Sequence, residues 1–596
     1  MKTKRFVISF IFSISALIFI AKLFYIQVID DSFKLSAENN TLRHVTIYPS
    51  RGFVFDRNGK IIVANQSTYD LKVVPRSIEA FDTSAFCNLT GISKKDLVSV
   101  FKEKKYSYKP VILKKQINGE EYARIAESLY KYPGFYTEKR SLRIYPFPVA
   151  ANVLGYLGEV NVNELKNDTY YQSGDYVGKS GIEKVYETDL RGDKGTEVFM
   201  VDVLGRVQEP YKKGSYNKQA LAGKNIVSSL DIELQKLGEF LMQNKIGSIV
   251  AIEPLTGEIL AMVTSPTYDP NLFIGKKLAE NYRKIEYQKN KPLFNRTLRS
   301  MYPPGSTFKP INALIALQKG LITDRTVFVL NGYDAGTHIV KDHVSGAISF
   351  KKSIQMSSNA YYCTVLKRII SDKRFKNYAT AYEDWRSYVK SFGLATKLGT
   401  DLDFEKQGIL YSHKYYDRFY GKGHWNYNTI ISLAIGQGEL GFTPLQTANM
   451  TAIIANKGWY IIPHIVKDIG ANGIDKKYKE KHYSKVNEEY YQPVKDAMEA
   501  VVSGGTGMLA YVPGLDICGK TGTAQNPHGK DHSVFIAFAP KNNPKIAVSV
   551  YVENAGFGST WAAPIASMII EKYLTDSISR PWLLKRISEA NLIKNK

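Results

Sequence analysis

Ser306 and Lys309 stand three residues apart in Tyr302-Pro303-Pro304-Gly305-Ser306-Thr307-Phe308-Lys309-Pro310. A hydroxyl beside an amine is a nucleophile beside its base, provided burial keeps the lysine neutral. The prolines and glycine read as a turn, and Ile311-Asn312-Ala313-Leu314-Ile315-Ala316-Leu317 reads as a buried helix. Pro310 fits that helix only in its first turn, where its missing N–H loses no partner. Ser306 and Lys309 then share one face. An ordinary helix N-terminus with an incidental lysine would look the same, and this segment alone does not separate the two readings.

Two later segments bear on that choice. Ser357-Ser358-Asn359 interrupts a helix-like stretch and offers a hydroxyl and an amide. Lys520-Thr521-Gly522-Thr523 precedes the apolar strand at 534–538 and supplies a cation, two hydroxyls and a glycine that lets a substrate backbone come close. Residues 514–521 also spell a P-loop, but Val512-Pro513 before and Gly522, Pro527 and Gly529 after leave no helix to hold phosphate. Gly436-Gln437-Gly438-Glu439-Leu440-Gly441 spells a dinucleotide fingerprint, yet no acidic residue ends a second strand around Trp459-Tyr460-Ile461. Thr443, Pro444 and Gln446 instead read as N-cap, first-turn proline and capping-box partner of a helix behind a tight glycine turn. S-x-x-K, then S-x-N about fifty residues on, then K-T-G far downstream form the signature set of penicillin-recognising serine enzymes.

The elements that must carry these groups are legible around them. Residues 248–252 and 258–263 read as apolar strands flanking the turn Glu253-Pro254-Leu255-Thr256-Gly257. Residues 225–230 read as a strand leading to a helix that opens at Asp231. Asn58-Gly59 between two apolar runs marks a hairpin. Residues 85–140 read as a mixed α/β insertion, and the last twenty residues, with Lys585, Arg586, Lys594 and Lys596, as a basic tail.

The chain has 596 residues, and 80 Lys+Arg against 56 Asp+Glu give a net charge of +24. Its 44% apolar and 12% aromatic content excludes a disordered chain, and its length allows two to four domains. Cys87, Cys363 and Cys518 are too few and too far apart for a disulfide scaffold or a structural zinc site. The charge invites a nucleic-acid reading, but no compact nucleic-acid motif occurs. Lys2, Lys4 and Arg5 precede sixteen uncharged residues, and after Lys22 the apolar run resumes to Ile29. Residues 6–29 therefore read as a membrane anchor, with 1–5 in the cytoplasm and 30–596 outside it. A cleaved signal peptide is the competing reading, without a clear A-x-A site to support it.

The three motifs in an exported chain resemble those of the class B penicillin-binding proteins, and among them the penicillin-binding protein 2 group of the elongation (rod-shape) machinery. The likeness covers nearly the full length. It includes the anchor ending Leu23-Phe24-Tyr25-Ile26-Gln27-Val28, Arg51-Gly52, Asp56-Arg57-Asn58-Gly59, Tyr145-Pro146 and Leu154-Gly155-Tyr156. It continues through Gly178-Lys179-Ser180-Gly181-Ile182-Glu183, Tyr186, Leu190-Arg191-Gly192, Gly436-Gln437-Gly438 and Thr443-Pro444-Leu445-Gln446. Pro303-Pro304 before Gly305-Ser306 is similar to the elongation type rather than the division type. Some elongation-type members hold zinc between the first two motifs. Asp342 and His343 lie there without a cysteine in the expected place, so no metal is expected.

The resemblance implies an α/β transpeptidase domain of the penicillin-binding and serine β-lactamase type, an antiparallel sheet flanked by helices, at 246–575. It would stand on an elongated mixed α/β pedestal, or dimerisation-like domain, at 30–245 with a head insertion near 85–140, and be followed by the tail at 576–596. The implied activity is peptidoglycan D,D-transpeptidation in the inner membrane, with the catalytic domain in the periplasm and no cofactor. Ser306 would attack the D-Ala-D-Ala carbonyl of a stem peptide, and Lys309 would take its proton, its pKa lowered by burial and by the Lys520 cation. Ser357 would pass the proton to the leaving amine and Asn359 would hold the substrate amide. Thr521, Gly522 and Thr523, assisted by Lys520, would bind the terminal carboxylate. The N–H groups of Ser306 and Thr523 would form the oxyanion hole. β-Lactams would stall at the acyl-enzyme. Implied partners are the membrane, a SEDS-family glycan polymerase and other elongation-complex proteins, with no nucleic acid. Cys363, near the second motif, reads as a buried inert thiol. A division-type transpeptidase, a D,D-carboxypeptidase or a β-lactamase would use the same first motif. A non-catalytic β-lactam sensor would usually carry several spans and a cytoplasmic signalling domain, and a scaffold would not need Ser306, Lys309 and Lys520 together.

Overall fold

Apolar runs give four strands of a largely buried sheet, and the K-T-G segment gives its fifth. Ile259–Ser265, Gly247–Ile252, Ile546–Val552, His532–Ala539 and Cys518–Ala524 form, in that order, a five-stranded antiparallel sheet. Alternate residues feed two cores, as the two-residue strand period requires. Phe535, Ala537 and Ala539 join Leu241, Ile569 and Leu583 from the helices Ile232–Met242, Ala562–Thr575 and Pro581–Glu589. Ile536 and Phe538 join Phe308, Met450, Ile453 and Val494 on the other face. Among the latter helices, Pro444–Ala455 is buried at every position. Its expected start is observed: the Thr443 hydroxyl accepts from the Gln446 N–H, the Gln446 side chain accepts from the Thr443 N–H, and Pro444 opens the helix.

The computed structural model describes residues 2–25, 42–104, 110–201, 207–336, 339–470 and 473–593. The sheet belongs to a unit built from residues 53–64, 143–190 and 225–596; a second unit comprises 1–52, 65–142 and 191–224. In the second unit Leu42–Ile47 pairs antiparallel with Gly195–Val201, which pairs with Val207–Pro210. The mixed α/β character expected near 85–140 is present: helices Thr83–Thr90, Lys94–Lys104 and Gly119–Leu129 accompany strands Val111–Ile117 and Phe135–Ile144. Phe86, Leu97, Ile117, Ile125 and Phe135 form their core. The N-terminal helix runs Lys2–Phe24, and its stretch Phe6–Phe24, at mean hydropathy 2.4, is long and apolar enough to cross a membrane. Residues 26–29 of the expected anchor lie outside the described residues.

Asn58-Gly59 turns between strands Val54–Phe55 and Ile61–Val73, and Asp231 caps the helix Ile232–Met242 through its side chain, both as expected. The tail is a correction. Pro581–Glu589 is a helix whose Leu583 and Ile587 are buried, and the buried Lys245 ammonium donates to the carbonyls of Ile587 (2.6 Å) and Ala590 (3.3 Å) at its end. The apolar residues stand four apart, so a basic outer face had hidden an amphipathic helix.

Glu183, in the Gly178–Glu183 run, is fully buried and accepts from Arg143 Nε at 2.7 Å, with the arginine 2% exposed. Both groups are out of water, so removing the carboxylate costs the folded state a charge-assisted bond to a buried guanidinium. Glu183→Ala is expected to lower the unfolding free energy by about 3–5 kcal/mol, against a smaller loss for Glu183→Gln, measured by urea denaturation. Equal stability of Glu183→Ala and the parent chain would refute this.

Candidate active site

The nucleophile segment folds as a 3₁₀ turn, Gly305–Phe308, that runs into the helix Lys309–Gln318, with Pro310 in the first turn as its geometry demands. Lys309 is fully buried. Its Nζ donates to the Ser357 carbonyl (2.6 Å), the Asn359 side-chain oxygen (2.7 Å) and the Ser357 hydroxyl (3.2 Å). The first and second motifs are thus tied through the lysine. No hydrogen bond joins Lys309 to Ser306 among the described residues, so the amine that is expected to take the serine proton is oriented by the second motif.

Ser357 sits between helices Phe350–Gln355 and Asn359–Ile370 with φ +60°, a left-handed conformation unusual for a residue with a Cβ. Strain of this kind persists where surrounding contacts over-determine it. Here Asp342 supplies them: its carboxylate accepts from the Ser358 hydroxyl and from the Ala360 N–H at 2.9 Å. His343 lies at the cleft and bonds the Met356 carbonyl (2.7 Å) through Nε2. Among the described residues no three His, Cys, Asp or Glu side chains gather as metal ligands.

The third motif precedes the apolar strand as expected and is itself a strand, Cys518–Ala524, at the edge of the sheet. An edge strand leaves backbone groups free to pair with an extended peptide. Gly522 lies against the nucleophile turn: a Cβ there would stand 2.8 Å from Thr307 Cγ2. Thr521 shares a hydrogen bond of 2.7 Å with Thr506, and Gln437 Nε2 donates to the Thr523 carbonyl at 3.0 Å. Gly305 N–H donates to the Gly436 carbonyl at 2.8 Å. The glycine-rich run that spelled a dinucleotide fingerprint is therefore a support for the nucleophile turn.

Burial sets the electrostatics. It lowers Lys309 to about 7, against the smaller opposing pull of Asp342 and Cys363. It pushes Lys520 well below the ordinary lysine range, and the nearby Lys309 pushes it further. Burial and Lys309 thus both oppose a charge on Lys520, and a carboxylate brought beside it would favour the charged form. Burial also raises the Cys363 thiol to about 12, which keeps it protonated and unreactive.

Ser306, Ser357, Asn359, Thr521 and Thr523 line one cleft of about 470 Å³, with Lys309 and Lys520 buried behind it. His343 and Gln437 also line it, as do Thr506, Asp531 and Phe557, which had no motif to mark them. This arrangement places a hydroxyl, a buried amine near neutrality, a second hydroxyl and an open strand edge together, which suits acyl transfer to and from an extended peptide.

Comparison with known proteins agrees. Residues 247–571 match the penicillin binding protein transpeptidase domain and residues 46–228 the penicillin-binding protein dimerisation domain. The peptidoglycan D,D-transpeptidase MrdA of Acinetobacter baumannii is 31% identical over 605 residues, covering 95% of this chain and 87% of that one. The structure of Pseudomonas aeruginosa PBP2 in complex with WCK 5153 is similar with a TM-score of 0.67 at 30% identity, over 90% of this chain and 97% of that one. A chain from a peptidoglycan synthase complex that coordinates polymerization and crosslinking gives a TM-score of 0.72 at 25% identity, over 97% and 99% of the two chains. With the dimerisation domain ahead of the transpeptidase domain and a likeness that runs the length of the chain, the protein belongs to the class B penicillin-binding proteins.

Proposed function

We propose that this chain is a peptidoglycan D,D-transpeptidase of the elongation type, working through a serine acyl-enzyme. The observation that carries the reading is the fully buried Lys309 amine, held near neutrality and bonded to both Ser357 and Asn359 beside the Ser306 turn. Ser306 is the nucleophile and Lys309 its base. Ser357 relays the proton to the leaving D-alanine and Asn359 holds the substrate amide. The donor peptide pairs with the edge strand, and Thr521 and Thr523, with Gly522 giving room, bind the terminal carboxylate. That carboxylate favours the protonated form of Lys520. The N–H groups of Ser306 and Thr523 receive the oxyanion, each donor contributing roughly 3–4 kcal/mol in comparable sites.

The domain assignment goes with this reading: an anchor at 6–29, a pedestal at 30–245 and a transpeptidase domain at 246–575. The apolar helix at Phe6–Phe24 after a basic start supports a single pass with the catalytic domain on the periplasmic side of the inner membrane. The likeness to a chain of a synthase complex supports a polymerase of the SEDS family as partner. The test is to label the intact chain with a fluorescent penicillin and map the adduct by peptide mass spectrometry. One adduct on Ser306 is expected. An adduct elsewhere would remove Ser306 from its role, and a folded chain that does not label would favour a scaffold.

A further inference from the structure

The acyl-enzyme must be resolved by an amine, and an alkylamine reaches the cleft as an ammonium ion. Among the described residues one acidic side chain lines the cleft, Asp531. It precedes the strand His532–Ala539, whose first residue pairs with Ala524 at the end of the third-motif strand. The carboxylate is fixed: one oxygen accepts the Asn526 N–H at 3.2 Å, and the Asp531 carbonyl accepts the Gly556 N–H at 2.7 Å. Asp531 forms no ion pair among the described residues, in a chain with 24 more basic than acidic side chains. A half-buried carboxylate left without a cation in so basic a protein is free to meet one from outside.

The neighbouring wall suits the rest of such a ligand. Phe557 lines the same cleft and is 71% exposed, on a loop fixed by the Ser533 hydroxyl donating to its carbonyl at 2.8 Å. Gly558 lets that loop lie against the third motif, since a Cβ there would stand 2.4 Å from the Gly522 carbonyl oxygen. An apolar ring beside a carboxylate matches a methylene chain that ends in an ammonium.

Resting on the transpeptidase reading, we propose that Asp531, with Phe557 as its apolar lip, is the site that selects the acceptor, recruiting a primary alkylammonium on a diamino-acid side chain. Asp531 positions the acceptor and takes no part in bond making. The bound ammonium gives one proton to solvent. The free amine forms the C–N bond as the C–Oγ bond of the acylated Ser306 breaks, and its second proton goes to the Ser306 hydroxyl.

The test measures how the acyl-enzyme divides between amine and water. The full chain in detergent is acylated with a thioester analogue of acyl-D-Ala-D-Ala and offered Nα-acetyl-lysine amide or its aminooxy isostere, which is uncharged at neutral pH. Asp531→Asn keeps an oxygen for Asn526 and removes only the charge. The aminolysis-to-hydrolysis ratio with the lysine acceptor is expected to fall about tenfold, the worth of one partly buried charge pair. The ratio with the aminooxy acceptor should hold, and Asp531→Glu should recover part of the loss. An unchanged ratio for the lysine acceptor, or equal falls for both acceptors, would overturn the assignment. Failure of the parent chain to acylate would instead overturn the transpeptidase reading.

Discussion

Lys309→Met is expected to acylate with penicillin about a thousandfold more slowly than the parent chain, the usual size of a general-base contribution, while remaining folded. Methionine has a similar volume and reaches the same buried space, but it cannot take a proton from Ser306. In the parent chain the acylation rate should rise with pH through about 7, where the Lys309 amine loses its proton. The same substitution changes how stability depends on pH, and the sign follows from linkage. Lys309 is lowered from 10.5 to about 7 by burial, so between these values the unfolded chain holds a proton that the folded chain has released. Folding is therefore favoured by rising pH over that window, and the contribution is lost as pH falls toward 7. The full change is about 5 kcal/mol. Burial opposes the Lys520 proton in the same direction. Urea denaturation between neutral and alkaline pH should show a slope smaller by about one proton in Lys309→Met. Wild-type acylation, or an unaltered slope, would remove Lys309 from the role of buried neutral base.

The cost of burying that amine explains which parts of the site were legible in the sequence. Ser306 and Lys309 are separated by one turn, and Ser357 and Asn359 by two residues, so their spacing carries the chemistry directly. The Thr443 cap, the Asn58-Gly59 hairpin and the Asp231 helix start were likewise set by neighbours along the chain. What was not legible depends on contacts between distant segments. Lys309 bonds the second motif, about fifty residues away, and nothing in S-x-x-K announces that orientation. The low proton affinity of Lys520 arises from its burial and from Lys309, neither visible in K-T-G. Asp531 and Phe557 come to the cleft through the strand pairing of Cys518–Ala524 with His532–Ala539 and through the loop beyond Val552. The C-terminal helix was hidden for a different reason: its three charged residues outnumber its two buried apolar ones, Leu583 and Ile587.

Gly436→Ala should damage the site from outside the three motifs. Gly436 has φ +73°, and a Cβ built on it stands 2.1 Å from the Gly305 carbonyl oxygen and 2.9 Å from the Gly305 nitrogen. These are backbone atoms of the nucleophile turn, so no side chain can swing aside to relieve the overlap. Left-handed strain alone costs about 1–2 kcal/mol for a residue with a Cβ. Relief of the overlap must further move Gly305, and with it Ser306, by an appreciable part of an ångström. A misplacement of about 1 Å in a reacting group costs on the order of a hundredfold in rate, and a loss of that size in penicillin acylation is expected. Gly438→Ala is the control. It has a similar φ of +74°, but its Cβ would meet the Ser432 hydroxyl oxygen at 2.4 Å, the end of a side chain that can rotate away. It should share the stability loss and keep acylation within about tenfold of the parent. If both variants lose acylation equally, the effect is general strain in the glycine turn, and the support of Gly305 by Gly436 is not what places the nucleophile.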